Sequence, residues 1–328
     1  MSEERLQTGT LSTEAGKLIL VASFCLLLCS CRPVPKSVKA EPAIENQAAG
    51  TQKRYGAPKK VGSLKSKTVD ESSGLVASRS MPGMYWTHND SGDGPFLYGV
   101  SSEGDLNGVW RVTGAQAVDW EDISIGPGPE LGKTYLYIGD IGDNDSVRRE
   151  IVVYRVKEPA ETDRSSTKTK PQATESTEAI RLRYPDGKHD AEALLVDPGT
   201  GDIYIVTKVA LGRPSVYEAQ APFASDQPTT LKRLGELRIP SPFGGVITGG
   251  SVSPDGKHVA LCDYFQAFEL VLPTTSNRFE DIWKQPIVSF NFGKREQGES
   301  IAYRLDGRAL LGTSEGKGAA IVEVDLNP

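Results

Sequence analysis

Three glutamates stand at equivalent places in a motif that recurs five times along the chain. Each copy has a small or acidic residue, then any residue, then an aliphatic residue that opens a strand-like run. The copies begin at Ser73, Glu121, Glu192, Gly250 and Glu299. Carboxylates held close together raise one another's pKa and destabilise a fold unless a cation neutralises them. Calcium accepts six to eight oxygen ligands in a flexible geometry, so the motif predicts a calcium site if the copies converge.

A β-propeller would make the copies converge, because repeats of roughly 40–50 residues are typical of propeller blades. The copies are 48, 71, 58 and 49 residues apart. Removing a polar stretch at 161–178, which we interpret as a surface loop inserted within a blade, brings the long spacing near the others. We therefore predict an all-β fold over residues 59–328. It is a five-bladed β-propeller of four-stranded blades, whose innermost strands each present one motif residue to a shared axis.

The last blade of this arrangement lacks a strand, because only three strand-like runs follow Glu299. Residues 61–67 can supply the missing strand from the N-terminal side of the domain. Pairing the two ends of the chain closes the ring and removes the long free edges that an open sheet would expose.

The predicted metal ligands are one hydroxyl and three carboxylates: Ser73, Glu121, Glu192 and Glu299. Gly250 offers a backbone carbonyl or room for water, while Asp119 and Asp122 flank Glu121. The alternative is that the glutamates face solvent at a blade surface. The residue types argue against a zinc site, because the chain has three histidines and only Cys262 outside the N-terminal region.

Further polar groups fall where predicted strands end and could reach a cleft above the ring. The candidate catalytic residues are His88, Asp90 and Glu121. The candidate substrate-binding residues are Asp140 and Lys208. Three of them have a plainer alternative: Asp90 in an Asx-type turn, Asp140 in an acidic turn, and Lys208 as a solvated side chain.

Composition narrows the class of protein and its partners. The net charge of −6 and the pI of about 5.3 argue against a nucleic-acid-binding surface. An apolar run at 18–28 has the length of an export signal. Leu28-Cys29-Ser30-Cys31 after it resembles a bacterial lipobox, which predicts lipidation at Cys31. An ordinary secretory signal is the alternative.

The same region predicts the domain organisation and the location. Residues 1–31 would be a lipoprotein-type signal peptide and the polar segment 32–58 a flexible tether. The domain would then be a monomer at the cell envelope, outside the cytoplasm, attached to a membrane through its lipid anchor only.

With these motifs in place, the chain resembles the apyrase-type calcium-activated nucleotidases, which are five-bladed propellers with calcium on the axis. The family's axial ligands run Ser, Glu, Glu, Ser, Glu, and this chain has Gly250 at the fourth position. The segments 88–92 and 135–139 are similar to two of the family's strand ends, although the family's arginine in the first is absent. Other extracellular propellers, such as phytase-like proteins, are similar at this level.

Two functions remain open. The resemblance implies calcium-dependent hydrolysis of a small molecule containing a phosphoanhydride or phosphoester. The alternative is a calcium-stabilised propeller without catalysis that binds a glycan, a peptide or a protein at the envelope. A cleft with convergent cationic side chains above the ring would favour the hydrolase, because a phosphate must be held there.

Overall fold

Short strands rich in valine, isoleucine, leucine and tyrosine make up nearly all the regular structure of residues 54–242 and 244–327, the part of the chain that the computed structural model describes. The strands are β1 (Lys59–Ser63), β2 (Ser72–Ala77), β3 (Met84–Asn89), β4 (Phe96–Ser101), β5 (Leu106–Thr113), β6 (Trp120–Pro127), β7 (Thr134–Asp140), β8 (Ile151–Lys157), β9 (Gln172–Ser176), β10 (Glu178–Arg183), β11 (Ala191–Val196), β12 (Ile203–Thr207), β13 (Ser215–Ala219), β14 (Thr229–Thr230), β15 (Lys232–Glu236), β16 (Gly249–Val252), β17 (His258–Cys262), β18 (Gln266–Val271), β19 (Val288–Asn291), β20 (Ala302–Tyr303), β21 (Ala309–Gly312) and β22 (Ala320–Asp325). A 3-10 helix, Phe279–Lys284, lies between β18 and β19. Within the described ranges, no helix is both long and apolar enough to cross a membrane.

The strands form five sheets, which are the five blades of a β-propeller. The strand orders are β2-β3-β4-β5-β9 in blade one, β6-β7-β8-β10-β14 in blade two, β11-β12-β13-β15 in blade three, β16-β17-β18-β19 in blade four and β20-β21-β22-β1 in blade five. The first strand of each blade contacts the first strand of the next, and β20 returns to β2, so these strands surround a common axis. The predicted fold class is therefore confirmed.

The N-terminal strand closes the ring as predicted. β1 pairs antiparallel with β22, from Lys59 opposite Glu323 to Ser63 opposite Ala320. The strand is shifted from the predicted 61–67: it starts two residues earlier, at Lys59, and ends four residues earlier, at Ser63. Because a terminal strand bonded into the last blade leaves no gap in the circle, blades five and one can pack together.

The last residues of the segment predicted as a tether, 54–58, are part of the folded structure. The Tyr55 ring stacks on Phe290 at 4.0 Å between centroids, and the Arg54 guanidinium donates to the buried Glu269 carboxylate at 2.8 Å. Residues 54 and 55 are thus packed against blades four and five. The predictions for residues 1–53, which include the signal peptide, Cys31 and most of the tether, lie outside the described residues.

Two blades have a fifth strand, which corrects the prediction of four strands in every blade. The stretch 161–178 contains β9, which runs parallel to β5 at the outer edge of blade one. The two-residue β14 covers β10 of blade two in the same way. An edge strand offers unpaired backbone groups, and β9 satisfies them although its sequence is polar. Most of its side chains face solvent, so no apolar pattern marked it as a strand.

The hydrophobic core lies between neighbouring blades. Blades one and two, for example, share a cluster in which Trp86 and Trp110 meet edge to face at 4.6 Å, with Trp120 from the next blade in the same cluster. Equivalent clusters join the other four pairs of neighbours. Each fully buried large apolar side chain contributes about 1.5–3 kcal/mol, so the ring is held by its inter-blade contacts.

Candidate metal centre

The recurring motif corresponds to a recurring β-bulge at the start of the inner strands. The register shifts between Ser72 and Leu75 in β2 and between Ala191 and Ala193 in β11. β6 has the same irregularity, which skips Glu121. A bulge leaves a residue unpaired and re-aims its side chain. Ser73, Glu121 and Glu192 are the residues in these bulges, which accounts for three of the five copies. Gly250 pairs regularly with Leu261, and Glu299 precedes β20.

Three carboxylates gather at this end of the propeller axis. Asp90, Asp119 and Glu121 place ligand oxygens within 4.8 Å of one another. Asp90 follows β3 of blade one, while Asp119 and Glu121 flank the start of β6 in blade two. Two of the sequence-predicted site residues, Asp90 and Glu121, are therefore brought together. The third carboxylate, Asp119, is the one that the predicted ligand set lacked.

The cluster concentrates negative charge with little to neutralise it. Glu121 is 3% exposed, and its carboxylate accepts no hydrogen bond from the described residues. Burial raises its pKa well above the usual range, and the charges of Glu192 and Asp90 add to the effect. Burial likewise raises the pKa of Asp119 to about 6, with Asp90 adding and Arg148 opposing. Oxygen ligands of this kind suit a hard divalent cation.

Gly142 leaves the space that the carboxylates occupy. A Cβ at this position would lie 2.1 Å from Glu121 Oε1 and 2.4 Å from Asp119 Oδ2. Both distances are far below van der Waals contact. A side chain at position 142 would therefore have to displace both carboxylates, and the glycine backbone forms one wall of the site.

The Gly142→Ala substitution should abolish cation binding with little loss of stability. The three atoms nearest to the new methyl group would all belong to the side chains of Glu121 and Asp119. We expect unfolding in chelator to change by less than about 1 kcal/mol, while the shift on adding calcium disappears. Thermal unfolding with and without calcium measures both effects. The matched control is Gly199→Ala in an exposed turn, where the nearest atom to a new Cβ is Asp197 Oδ1 at 3.3 Å. A normal calcium response in Gly142→Ala would contradict this placement.

Glu192 and Lys208, predicted as a metal ligand and a substrate-binding residue, form an ion pair with each other. Burial raises the pKa of Glu192 to about 7, although Lys208 opposes the shift. The second carboxylate oxygen of Glu192 is buried and has no hydrogen-bond partner among the described residues. The Lys208 ammonium also lies 5.4 Å from the Tyr264 ring centroid. The negative charge of Glu192 also helps to raise the pKa of Glu121 in the carboxylate cluster.

The other two predicted metal ligands lie outside the cluster. The Ser73 hydroxyl donates to the backbone oxygen of Glu121 at 2.6 Å, so it joins the inner strands of blades one and two. Glu299 precedes β20 of blade five. Burial raises its pKa to about 9, and the charges of Glu315 and Glu192 add to the shift. Several acidic residues therefore surround this end of the axis. Three of them, Asp90, Asp119 and Glu121, have carboxylate oxygens close enough to bind one cation.

These buried acids should make the metal-free protein less stable as pH rises from 6 to 9. The pKa values of Glu192 and Glu299 are raised to about 7 and about 9 in the fold. Between the unfolded pKa and the folded one, the native state holds protons that the unfolded state has released. Each such group then costs about 1.4 kcal/mol per pH unit. Urea unfolding in chelator should show this fall, less steeply for Glu299→Gln. A flat wild-type profile would contradict it.

His88 and Asp140 have structural surroundings. His88 is fully buried, its Nδ1 lies 2.9 Å from the Asn89 backbone oxygen, and burial lowers its pKa. The other ring nitrogen has no hydrogen-bond partner among the described residues. Asp140 accepts hydrogen bonds from the Val118 and Asp119 amides, both at 3.2 Å, and pairs with Arg148 at 2.8 Å. Asp140 therefore contributes by orienting Asp119.

Asp122 is the axial residue that sequence reasoning noticed but gave no role. It is 1% exposed. Its carboxylate accepts from the backbone amides of Ile123 at 2.8 Å, Leu194 at 2.9 Å and Gly250 at 3.1 Å. One side chain of blade two thereby ties the inner strands of blades three and four. Burial raises the pKa of Asp122 well above its usual range against the effect of these bonds.

Among known proteins, the chain is similar to solved structures, but no protein-family model and no curated protein sequence matches it. A chain in the crystal structure of a nidogen/laminin complex is similar at 12% identity and a TM-score of 0.38, over 75% of this chain and 73% of that one. The Dos1 propeller is similar at 12% identity and a TM-score of 0.36, over 75% and 53% respectively. The class of protein is defined by the strand pairing itself: a five-bladed β-propeller.

Proposed function

We propose that this propeller binds a divalent cation, calcium in particular, through Asp90, Asp119 and Glu121, and that the cation holds an anionic ligand at this end of the axis. The observation that carries the proposal is the Glu121 carboxylate, which is almost fully buried beside two other carboxylates and accepts no hydrogen bond from the described residues. Three carboxylates supply only part of the six to eight oxygens that calcium takes. The remaining positions are open to water or to a ligand oxygen.

Two nearby basic side chains are already paired with acids, which leaves the cation to bind an anionic ligand. Lys208 is paired with Glu192, and Arg148 is paired with Asp140. Neither is free to act as the principal anchor for a phosphate. A bound cation would supply the positive charge that these pairs do not, so binding of an anion should require calcium.

Hydrolysis of a phosphoester or phosphoanhydride at the same centre is the second candidate, and one observation favours it. Glu192 keeps one carboxylate oxygen unpartnered, and its pKa is raised to about 7 by burial. A general base works best when its pKa is near the working pH. A bound divalent cation would supply charge stabilisation to the phosphate oxygens, and Glu192 would accept a proton from water.

Calorimetry with inorganic phosphate tests the proposal, followed by phosphate release from a panel of nucleotides and phosphoesters. We expect phosphate to bind in calcium and not in chelator, and Asp90→Asn to abolish binding. The matched control is Asp145→Asn, which makes the same change at an exposed acid. Binding that is equally strong in chelator would contradict the calcium requirement. Turnover that is lost in Glu192→Gln would establish the hydrolase.

We also propose export and lipid attachment at Cys31, from the apolar run at 18–28 and the lipobox-like segment that follows it. The expected product is an envelope protein whose mature N-terminus is a lipidated cysteine. Metabolic labelling with a fatty acid should mark the wild type and leave Cys31→Ser unlabelled. Recovery of an unlipidated mature protein from the soluble fraction would count against the anchor.

A further inference from the structure

Two cavities open beside the candidate metal centre and share part of their walls. The first has a volume of about 560 Å³, and most of the residues that line it are of polar or charged type, among them Lys188, Asp190 and Lys208. The second has a volume of about 490 Å³ and is lined mainly by apolar groups. The residues that line both are Ala210, Val246 and Tyr264. The two cavities therefore form one groove with a polar end and an apolar end.

The polar end adjoins the carboxylate cluster. Asp190 lines this cavity, and its carboxylate accepts a hydrogen bond from the Asp143 amide at 2.8 Å. The preceding residue, Gly142, abuts the carboxylates of Asp119 and Glu121. Lys208 in the same wall forms an ion pair with Glu192. Lys188 is exposed and has no ion-pair partner among the described residues. An anionic group bound at the cluster would thus have a free ammonium within the same cavity.

The apolar end carries large side chains that the fold leaves exposed. Leu211 is 92% exposed and Phe265 is 53% exposed, and both line the second cavity. Contiguous exposed apolar patches mark binding surfaces or ligand grooves, and these two side chains line the same cavity. The loops that carry the groove are joined by a backbone hydrogen bond in which the Val209 amide donates to the Gly245 oxygen at 3.0 Å. The wall is therefore shaped before any ligand arrives.

We infer that the ligand is a small phosphate monoester whose esterified group is aromatic or a large aliphatic, an inference that rests on the proposed cation site. The phosphate lies at the polar end, near the cation and Lys188. The apolar group lies past Tyr264 against Leu211 and Phe265. Each cavity falls within the range of about 300–1,000 Å³ that small-molecule sites occupy, which favours a small ligand over a protein surface.

The test compares two non-hydrolysable ligands with the same head group, methylphosphonate and phenylphosphonate, by calorimetry in calcium. Burying the ring should make phenylphosphonate bind about tenfold more tightly or better. Leu211→Ser and Phe265→Ser should each reduce that ratio and leave the affinity for methylphosphonate unchanged. The control is Leu131→Ser, at a fully exposed leucine in the turn between β6 and β7.

Equal affinities for the two phosphonates, or no binding of either, would overturn the inference. A calcium titration of the wild type, made separately, decides the proposed function. If calcium does not bind but phenylphosphonate still binds more tightly and loses its advantage in Phe265→Ser, the cation site fails while the groove stands. If calcium binds and the two phosphonates bind with equal affinity, the inferred apolar subsite is wrong while the cation site stands.

Discussion

Replacing Asp122 by alanine should lower the free energy of unfolding by about 2–4 kcal/mol. The substitution removes the acceptor of three backbone amides at the centre of the ring, those of Ile123, Leu194 and Gly250. A buried donor left without a partner costs about 1–3 kcal/mol. The loss is partly offset, because the buried carboxyl with its raised pKa is itself unfavourable. Urea unfolding at pH 7 in chelator measures the change without any contribution from a bound cation.

Two variants make this result specific. Asp122→Asn keeps one acceptor oxygen and should lose less than alanine does. Asp145→Ala removes an exposed acid and should lie within about 0.5 kcal/mol of the wild type. A loss below 0.5 kcal/mol in Asp122→Ala would mean that the inner strands do not depend on this side chain.

Calcium should stabilise the wild-type domain, and Glu121→Gln should remove that effect. A ligand that binds only the folded state stabilises it by about 2.7 kcal/mol at a hundred times its Kd, which for a domain of this size corresponds to a rise in Tm of ~5 °C. Glutamine keeps the shape of the side chain but removes the charge that the cation needs. In chelator the same variant should be more stable than the wild type, because burial disfavours the Glu121 carboxylate.

The opposite signs in chelator and in calcium separate a cation site from general damage to the fold. Glu192→Gln should weaken the calcium response less than Glu121→Gln does, because Glu192 stands outside the group of three and is paired with Lys208. An equal Tm for the wild type in calcium and in chelator would remove the basis for the site.

The sequence predicted the propeller because its signals are local and repeated. Motif spacing showed five units, and the shortage of strands after Glu299 showed that residues near Val61 must complete the last blade. The fifth strand of blade one was not predicted, because β9 pairs with β5, more than fifty residues away, and has no apolar pattern. Propensity describes a strand's own residues, whereas an edge strand is stabilised by the partner that it covers.

The site was predicted in part, for a similar reason. Residue type and position at strand ends were enough to select Asp90 and Glu121, which meet. They did not show that Lys208 would be neutralised by Glu192 or that Asp140 would hold the amide of Asp119. Simple alternation along β6 would place neighbouring acids on opposite faces, and the bulge that re-aims them depends on the pairing of β6 with β7. Such contacts are set by tertiary structure.

The calcium content of the purified domain tests the central claim most directly. The protein is loaded with calcium, dialysed against metal-free buffer at pH 8 and analysed by mass spectrometry of the metal, beside Glu121→Gln treated in the same way. The cation site predicts one calcium ion per wild-type chain and none in Glu121→Gln. No retained calcium in the wild type under conditions where the domain is folded, or equal calcium in both proteins, would contradict it.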